Sequence, residues 1–497
     1  MAGLSAPGWS RKGAQEFTDA LPRYAEDSNA LPGQLFGKPI SSGTSPNTPA
    51  GLWNWDFSAR LKTKTQSTLA LLRSHESRNV TFMEADGSWP IVWERARGVN
   101  VWDAEGRKYV DLTAAFGVAA AGHANPRVVR AGQRQMATLL HAMGDVHPHA
   151  LKARLARELS ALTFEKWSKV QGPKSKVGKT IFCNSGFEAV EAALKTALLA
   201  TGKRGVIAFT GAYHGLGYGA LNATHREHFR VPFKSQLGEF GQFAPFPTMS
   251  SDIPKLLTHL RQIFRKHKIG AIIVEPLQAR GGINIPPPDF LPVLRRVCDE
   301  HGALLILDEI YTGFGRTGTW FACEHSGVIP DLICLGKALT GGFPLSACVG
   351  HAEMMDAAWP ASTGEAIHTS TFLGHPVGCA MALANIAEIR AKKLVQRSAK
   401  LGEMLLRELF KVQSSKFRVQ SSARGIGLMA GLELINENGS PATELSLRVI
   451  KKLLHRGFIF LPEGEHANVI SFTPPLTISE AQLRRAVEAL QKALDEK

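Results

Sequence analysis

The sequence predicts an α/β fold, in which a large domain with a mostly parallel sheet is joined to a smaller α+β domain. Short β-rich runs at 205–210, 270–276, 303–309 and 331–336 alternate with helical segments. Such alternation is typical of βαβ units, whose helices cover both faces of a parallel sheet. Beyond about residue 385 the order changes to helix, strand and helix, and 497 residues are enough for two domains.

Composition and charge exclude several classes of protein. Hydrophobic residues make up 44% and charged residues 20%, which excludes a globally disordered chain. The formal net charge is +15, but the Lys and Arg residues are dispersed without a basic helix or finger motif, so no nucleic-acid partner is expected. We attribute the positive charge to attraction of an anionic cofactor and carboxylate substrates.

The cysteines and the apolar runs indicate the compartment. Six cysteines lack C-x-x-C spacing, so neither disulfides nor a metal site is expected. No apolar run approaches the roughly 18 residues of a membrane span, and the first thirty residues contain no apolar signal segment. The sequence therefore predicts a cytoplasmic protein without a membrane partner.

Four segments follow one another along the chain and build the predicted domains. They are an irregular, Gly- and Pro-rich extension at 1–75, the first part of the small domain at 76–125, the large domain at 126–384, and the rest of the small domain at 385–497.

Local signals specify elements inside the small domain. The turn at 103–106 lies between alternating apolar and polar residues and predicts a hairpin. A short strand is expected at 458–461. The last helix is expected at about 479–496, with Ser479 and Gln482 as its capping box.

The first motif with chemical meaning is Asn184-Ser185-Gly186-Phe187, between a β-like run and a Glu-rich helical segment. Small residues at such a junction let backbone N–H groups and a helix N-terminus face a phosphate. An ordinary Asn or Ser helix cap is the alternative.

The second motif is a pair of carboxylates, Asp308 and Glu309, at the end of an apolar strand. Buried carboxylates need partners. A Walker B strand of a nucleotide hydrolase looks similar, and Lys179 and Thr180 follow a glycine as in a phosphate-binding loop. However, the required first glycine lies one residue too early, at Gly172, and a strand-like run follows Thr180, so the spacing argues against a hydrolase.

The third motif is Lys337, which follows an apolar strand and has small residues around it. Partial burial lowers the pKa of an amine and makes it a better nucleophile, although a solvated surface lysine is the common alternative. A phosphate cradle, a strand-end Asp and a strand-end Lys together are what pyridoxal phosphate requires.

The stretch 307–347 resembles the signature of the class III, ω-amino-acid type, pyridoxal-phosphate-dependent aminotransferases, and the resemblance extends from about residue 80 to 495. It implies fold type I, with a seven-stranded type of sheet in a large domain that binds pyridoxal phosphate. It also implies that Lys337 is the lysine that carries the cofactor and acts as general acid and base. Asp308 is then the partner of the pyridine nitrogen.

The resemblance assigns further cofactor contacts and a homodimer. Tyr213 is similar to the aromatic residue that stacks on the cofactor, and Tyr311 stands where a glutamine often contacts the phenolic oxygen, a role that its hydroxyl could take. Ser370 and Thr371 resemble residues that reach the phosphate from a neighbouring subunit. The implied cofactor-binding set is Ser185, Gly186, Phe187, Tyr213, His214, Glu275, Asp308, Tyr311, Lys337, Ser370 and Thr371.

Substrate residues depart in part from the family pattern. Arg424 resembles the arginine that receives a carboxylate, with a structural role in the small domain as the alternative. Phe116 is similar to a pocket aromatic, though it could equally belong to the core. Leu216 stands where the family often has arginine, and Arg280 where it often has glutamate. We hypothesise that Arg280 supplies the carboxylate contact that Leu216 cannot.

The expected activity is transfer of an amino group from an ω-amino acid or amine, such as 4-aminobutyrate or an ornithine-like compound, to a 2-oxo acid such as 2-oxoglutarate or pyruvate. A pyridoxal-phosphate-dependent aminomutase, racemase or decarboxylase on the same scaffold remains an alternative. A non-catalytic binding protein is a third possibility.

Overall fold

The computed structural model describes residues 63–171, 177–412 and 419–496. The helices in this part are α1 (Lys64–His75), α2 (Ala114–Gly117), α3 (Pro126–Thr138), α4 (Ala150–Leu162), α5 (Phe164–Gln171), α6 (Gly186–Thr201), α7 (Tyr218–Leu221), α8 (Glu227–Arg230), α9 (Ile253–Lys266), α10 (Phe290–His301), α11 (Ala352–Ala358), α12 (Pro376–Ala391), α13 (Leu394–Leu409), α14 (Thr443–His455) and α15 (Glu480–Asp495).

The strands are β1 (Trp93–Arg97), β2 (Asn100–Asp103), β3 (Lys108–Asp111), β4 (Gly178–Cys183), β5 (Gly205–Phe209), β6 (Gly241–Ala244), β7 (Ile269–Val274), β8 (Leu304–Asp308), β9 (Leu332–Leu335), β10 (Ser346–His351), β11 (Val419–Ile426), β12 (Met429–Asn436), β13 (Phe458–Ile459), β14 (Leu461–Glu463) and β15 (Val469–Phe472).

The central sheet has seven strands in the order β4-β10-β9-β8-β7-β5-β6. Neighbours from β9 to β6 are parallel, and β10 is antiparallel to both β9 and β4. This confirms the predicted mostly parallel sheet. Because β4 and β9 both oppose β10, strands β4, β9, β8, β7 and β5 all point the same way. Their carboxyl ends therefore lie along one edge of the sheet.

Both faces of this sheet are covered by apolar side chains. On β7, Ile272 and Val274 belong to one buried cluster, which also contains Phe290 of α10, whereas Ala271 and Ile273 belong to a second cluster with Val190 of α6. Successive side chains of a strand point to opposite faces. The near-continuous apolar runs that predicted these strands are thus explained by burial on both sides.

Two four-stranded sheets complete the described fold, with the orders β1-β2-β3-β13 and β11-β12-β15-β14. The predicted hairpin is confirmed by the antiparallel pair β2 and β3. Strand β13 pairs in parallel with β3 and so joins the two separate segments of the predicted small domain. Helix α12 runs through residue 385, where the sequence analysis places a boundary, and the domain division stays a prediction.

Two helix starts show how local sequence decides structure. Helix α1 lies inside the range 1–75 that is predicted to be irregular, and this corrects the prediction for 64–75. Thr63 and Gln66 form a capping box there, with Gln66 N donating to Thr63 Oγ1 at 3.2 Å. The rest of that range, 1–62, lies outside the described residues. The capping box predicted for α15 is confirmed.

Among the described residues, no helix is long and apolar enough to cross a membrane.

Candidate active site

A cavity of about 440 Å³ opens at the carboxyl edge of the central sheet. It collects residues that follow β4, β5, β7, β8 and β9, as the strand directions require. Its lining consists of Gly186, Phe187, Tyr213, His214, Gly215, Leu216, Glu275, Arg280, Asp308, Ile310, Tyr311 and Lys337.

Asp308 ends strand β8 and its carboxylate is held in place from two sides. Its Oδ1 accepts a hydrogen bond from the N–H of Ile310 at 3.1 Å, and its Oδ2 lies 2.7 Å from Nδ1 of His214. Nε2 of His214 is buried and has no partner among the described residues. The histidine therefore orients the carboxylate of Asp308, which lines the cavity.

Glu309, the second carboxylate of the predicted pair, turns away from the cavity. It accepts hydrogen bonds from the hydroxyl of Thr312 and from the N–H groups of Ala322 at 2.9 Å and Cys323 at 2.8 Å. Burial raises the pKa of Glu309 to about 7. Of the two strand-end acids, only Asp308 faces the cavity.

Lys337 follows β9 and faces Asp308 from the neighbouring strand. Burial lowers the pKa of its amine to about 8, although the charges of Asp308 and Glu275 act in the opposite direction. Its Nζ lies 4.0 Å from the centre of the Tyr311 ring. The backbone at Lys337 has a φ of 30°, in the left-handed region that non-glycine residues seldom adopt. The lysine thus has an amine with reduced basicity inside the cavity.

The predicted phosphate cradle lies where α6 begins. Oε2 of Glu188 accepts from the backbone N–H groups of Asn184 at 2.6 Å and Ser185 at 2.9 Å, which fixes the turn. The hydroxyl of Ser185 is buried without a partner among the described residues. A Cβ at Gly186 would lie only 3.1 Å from Ile310, so a larger residue would crowd the turn. A helix N-terminus with an unpaired hydroxyl fits the phosphate of pyridoxal phosphate.

Glu275 and Tyr213 line another side of the cavity. Oε1 of Glu275 accepts from the N–H of Tyr213 at 3.0 Å, and Oε2 accepts from the N–H of Ala279 at 3.3 Å. Burial raises the pKa of Glu275 to about 7. The guanidinium carbon of Arg280 lies 5.2 Å from the centre of the Tyr213 ring. Glu275 therefore fixes the backbone that presents the Tyr213 ring to the cavity.

Tyr311 contributes its ring rather than its hydroxyl to the Lys337 side of the cavity. The hydroxyl lies 3.1 Å from Oγ1 of Thr473, which in turn donates to the carbonyl of Thr113 at 3.2 Å. Burial raises the pKa of Tyr311. The contact to a cofactor oxygen that the sequence allows for this hydroxyl stays a prediction.

Several predicted residues lie outside the cavity lining. Phe116 is about half exposed, with a φ of 61°. Ser370 and Thr371 are exposed, and Oγ of Ser370 accepts from Nδ2 of Asn184 of its own chain at 3.3 Å. Arg424 is engaged by backbone carbonyls and by Glu433. Their predicted roles remain predictions.

The sequence analysis missed two residues of this region. Ile310 lines the cavity next to Gly186, and Glu463 is a buried acid whose Oε2 lies 3.6 Å from Nε of Arg280. Glu463 ends strand β14, in a Pro-Glu-Gly sequence that signals a turn. In the sequence, Glu463 could have been recognised as a candidate because it is a carboxylate between an apolar strand and a glycine.

Lys179 and Thr180 lie in strand β4 and not in a loop before a helix. The nucleotide-hydrolase interpretation is therefore wrong. Comparison with protein families gives a match to the aminotransferase class-III model over residues 82–494. The chain belongs to the class-III aminotransferases. It is accordingly a transaminase with pyridoxal phosphate as its cofactor.

Similar proteins agree with this assignment. The chain is 38% identical to a 5-aminovalerate aminotransferase of Pseudomonas aeruginosa over 82% of its own length and 94% of that protein. It is 35% identical to an acetylornithine aminotransferase of Methanosarcina acetivorans over 83% of its own length and 93% of that protein. Among solved structures, the pyridoxal-phosphate-bound amine transaminase of an uncultivated Pseudomonas species has a TM-score of 0.75 at 28% identity, covering 84% of this chain and 98% of that one.

Proposed function

We propose that this aminotransferase takes the amino group of an ω-amino acid and passes it to a 2-oxo acid such as 2-oxoglutarate or pyruvate. Its relatives include proteins named for 5-aminovalerate and acetylornithine, which both carry a carboxylate away from the reacting amine. The observation that carries the proposal is the guanidinium of Arg280 in the same cavity as Lys337 and Asp308. Arginine is suited to receive a carboxylate there.

The roles of the site residues belong to this proposal. Pyridoxal phosphate, when bound, supplies a ring that withdraws electrons from the reacting carbon. Asp308, oriented by His214, would keep a proton on the pyridine nitrogen of the cofactor. Nζ of Lys337 would hold the cofactor covalently and would move a proton between the substrate carbon and the cofactor. Its lowered pKa leaves a useful fraction of neutral amine near pH 8.

The remaining residues bind and orient. The turn at Ser185, Gly186 and Phe187 would hold the phosphate, and the ring of Tyr213, whose backbone is fixed by the Glu275 carboxylate, would stack on the cofactor. Holding the reacting atoms in one geometry accelerates both half-reactions without further chemistry from these groups.

We further propose a homodimer. Exposed apolar side chains cluster on two segments that touch each other, since the rings of His141 and Phe372 lie 5.4 Å apart. The exposed residues are Leu139, Leu140, Met143, Val146, Ile367 and Phe372. Apolar clusters of this kind are typical of protein interfaces. The second segment also carries Ser370 and Thr371, which supports phosphate contacts from a neighbouring subunit.

We also propose a cytoplasmic location. All six cysteines are buried and unpaired, which fits a reducing compartment.

A spectroscopic titration tests the substrate proposal. The visible absorbance of the holoenzyme is followed while 5-aminovalerate, 4-aminobutyrate, ornithine and pentylamine are added singly, and 2-oxoglutarate or pyruvate is then supplied. We expect an ω-amino acid to change the visible absorbance band of the bound cofactor. The 2-oxo acid should then restore the original band and be released as a new amino acid. Lys337→Ala should show no conversion. Isomerised product without a new amino acid from the added oxo acid would instead support an aminomutase.

A further inference from the structure

The short element α2, at residues 114–117, is a left-handed turn. Ala114, Ala115 and Phe116 have φ values of 48°, 49° and 61°. Gly117 follows with a φ of 81°. A left-handed conformation is unfavourable for residues with a Cβ and normally occurs at single positions. Three such residues in a row therefore need contacts from the surrounding structure that stabilise them.

The carboxylate of Asp111, at the end of β3, supplies these contacts. Its Oδ1 accepts from the N–H of Thr113 at 2.8 Å and from the hydroxyl of the same residue at 2.6 Å. Its Oδ2 accepts from the N–H of Ala115 at 3.1 Å and lies 2.8 Å from Nε2 of His123. Asp111 and His123 are both buried. Because hydrogen bonds to a carboxylate are stronger than those between neutral groups, Asp111 holds the backbone of the turn.

The turn contacts Tyr311, which lines the cavity. A Cβ at Gly117 would lie 2.8 Å from Cε1 of Tyr311, so the backbone of the turn packs directly against the ring. The hydroxyl of Tyr311 is also connected to the turn through Thr473, whose hydroxyl donates to the carbonyl of Thr113. The position of the ring therefore depends on the conformation of residues 113–117.

Lys337 faces the same ring. Its Nζ lies 4.0 Å from the centre of the Tyr311 ring, a distance at which an ammonium group is attracted to an aromatic face. The turn also lies against the segment Lys337–Leu339. A continuous series of contacts thus leads from Asp111 through α2 and Tyr311 to the amine of Lys337.

From these contacts we infer that Asp111 is a positioning residue for Lys337. Together with His123, it holds α2 in the left-handed conformation that keeps the Tyr311 ring beside the lysine Nζ. Asp111 lies outside the cavity lining and acts only through other residues. The inference rests on the role of Lys337 in the proposed function, but it does not depend on which amine or oxo acid is used.

Variants of the full-length apoenzyme test the inference. Asp111→Asn removes the charge that binds the turn, and Thr113→Val removes a hydroxyl contact to Asp111 without changing the charge. Asp103→Asn is the control, because it removes another buried carboxylate that accepts from backbone N–H groups, in the β2–β3 hairpin. The pH dependence of Lys337 acetylation and the hydrogen exchange of residues 112–118 are measured by mass spectrometry. The melting temperature is measured for each protein.

We expect Asp111→Asn to lower the midpoint pH of Lys337 acetylation by about half a unit, because the displaced ring no longer favours the ammonium form. Exchange of residues 112–118 should become about tenfold faster, since charge-assisted hydrogen bonds are lost. Thr113→Val should cause smaller changes in the same directions. Asp103→Asn should lower the melting temperature without changing the midpoint or the exchange of this segment.

A second substitution tests the backbone strain itself. Glycine adopts a positive φ without the steric cost of a Cβ. Ala115→Gly, added to Asp111→Asn, should therefore recover part of the shift in midpoint pH. Ala115→Gly alone should keep the wild-type midpoint. If the double variant recovers nothing, relief of strain in α2 is not what moves the ring, and the inference is wrong.

Two other outcomes would also overturn the inference. In the first, both Asp111→Asn and Thr113→Val keep the wild-type midpoint and exchange rates. In the second, Asp103→Asn shifts the midpoint as much as Asp111→Asn does, so that loss of any buried carboxylate explains the effect. These measurements use the apoenzyme and are independent of the substrate. The proposed function fails separately, if the wild type converts no ω-amino acid.

Discussion

Tyr311 and Lys337 show how one side chain adjusts the chemistry of another. Burial lowers the lysine pKa, Arg280 adds a smaller effect in the same direction, and Asp308, Glu275 and Glu463 oppose both. The Tyr311 ring faces the lysine Nζ at 4.0 Å, a distance at which an aromatic ring favours the ammonium form. The ring therefore limits the fall in pKa that burial causes.

Tyr311→Leu should lower the pKa of Lys337 below about 8, because the contribution of the ring to the ammonium form is lost. Tyr311→Phe should keep the wild-type value, since only the hydroxyl bonded to Thr473 is removed. The pKa is measured on the apoenzyme from the pH dependence of Lys337 acetylation by acetic anhydride, read by mass spectrometry. Equal midpoints for Leu and Phe would show that the ring has no effect.

At this scale the sequence predicted the residues at strand ends and missed a contact between distant segments. Asp308 and Lys337 could be located because the carboxyl ends of parallel strands meet at one edge, whereas Glu275 was implied only by the family resemblance. The contact of Arg280 with Glu463 depends on how β14 packs against the turn after β7, and no local pattern encodes that packing. The hydrogen bonds from Arg424 to the Gly282 and Ile283 carbonyls could not be predicted for the same reason.

The prediction of strands from the sequence has a similar limit. The apolar run 458–461 was predicted as one strand, but β13 pairs with β3 in one sheet and β14 pairs with β15 in another. Phe460 lies buried between them against Phe472. The prediction of a single strand is therefore wrong, because hydrophobic periodicity records that residues are buried but not which sheet they join.

Glu309 accepts hydrogen bonds from the first N–H groups of the short helical turn Ala322–His325. Its protonation should therefore change the stability of the fold. Its folded pKa of about 7 exceeds the usual glutamate pKa of 4.5, so the folded state binds more protons between these pH values than the unfolded state. The contribution of Glu309 to stability is thus fully present below pH 4.5 and is lost as pH rises through about 7.

Glu309→Gln should remove this dependence, so the variant should gain up to about 3 kcal/mol relative to wild type between pH 4.5 and pH 7.5. Urea unfolding at several pH values measures the difference. Glu300→Gln, at an exposed position on α10, serves as control and should follow the wild-type curve. A constant difference between Glu309→Gln and wild type across this range would contradict the assigned pKa.

At the scale of the whole molecule, the cavity lies close to a cluster of exposed apolar residues. Phe187 and Leu216 line the cavity and are themselves exposed, and the cluster formed by 139–146 and 367–372 contacts the phosphate turn through Ser370 and Asn184. The cluster therefore lies next to the turn that begins α6 at the edge of the cavity. A second copy of the chain that covers this cluster would also cover the open side of the cavity.

Charges placed in the cluster should therefore weaken both assembly and cofactor binding. Leu140 is 59% exposed and Met143 is 53% exposed, so the double variant Leu140→Asp, Met143→Asp is expected to fold. At an interface, however, two unpaired carboxylates would be buried at a high cost. Sedimentation velocity should show a shift from dimer to monomer, and fluorescence titration should show a weaker affinity for pyridoxal phosphate. Leu447→Asp, on the exposed side of α14, should change neither. If the double variant stays dimeric with unchanged affinity, this face is not the interface and the phosphate contacts must come from within one chain.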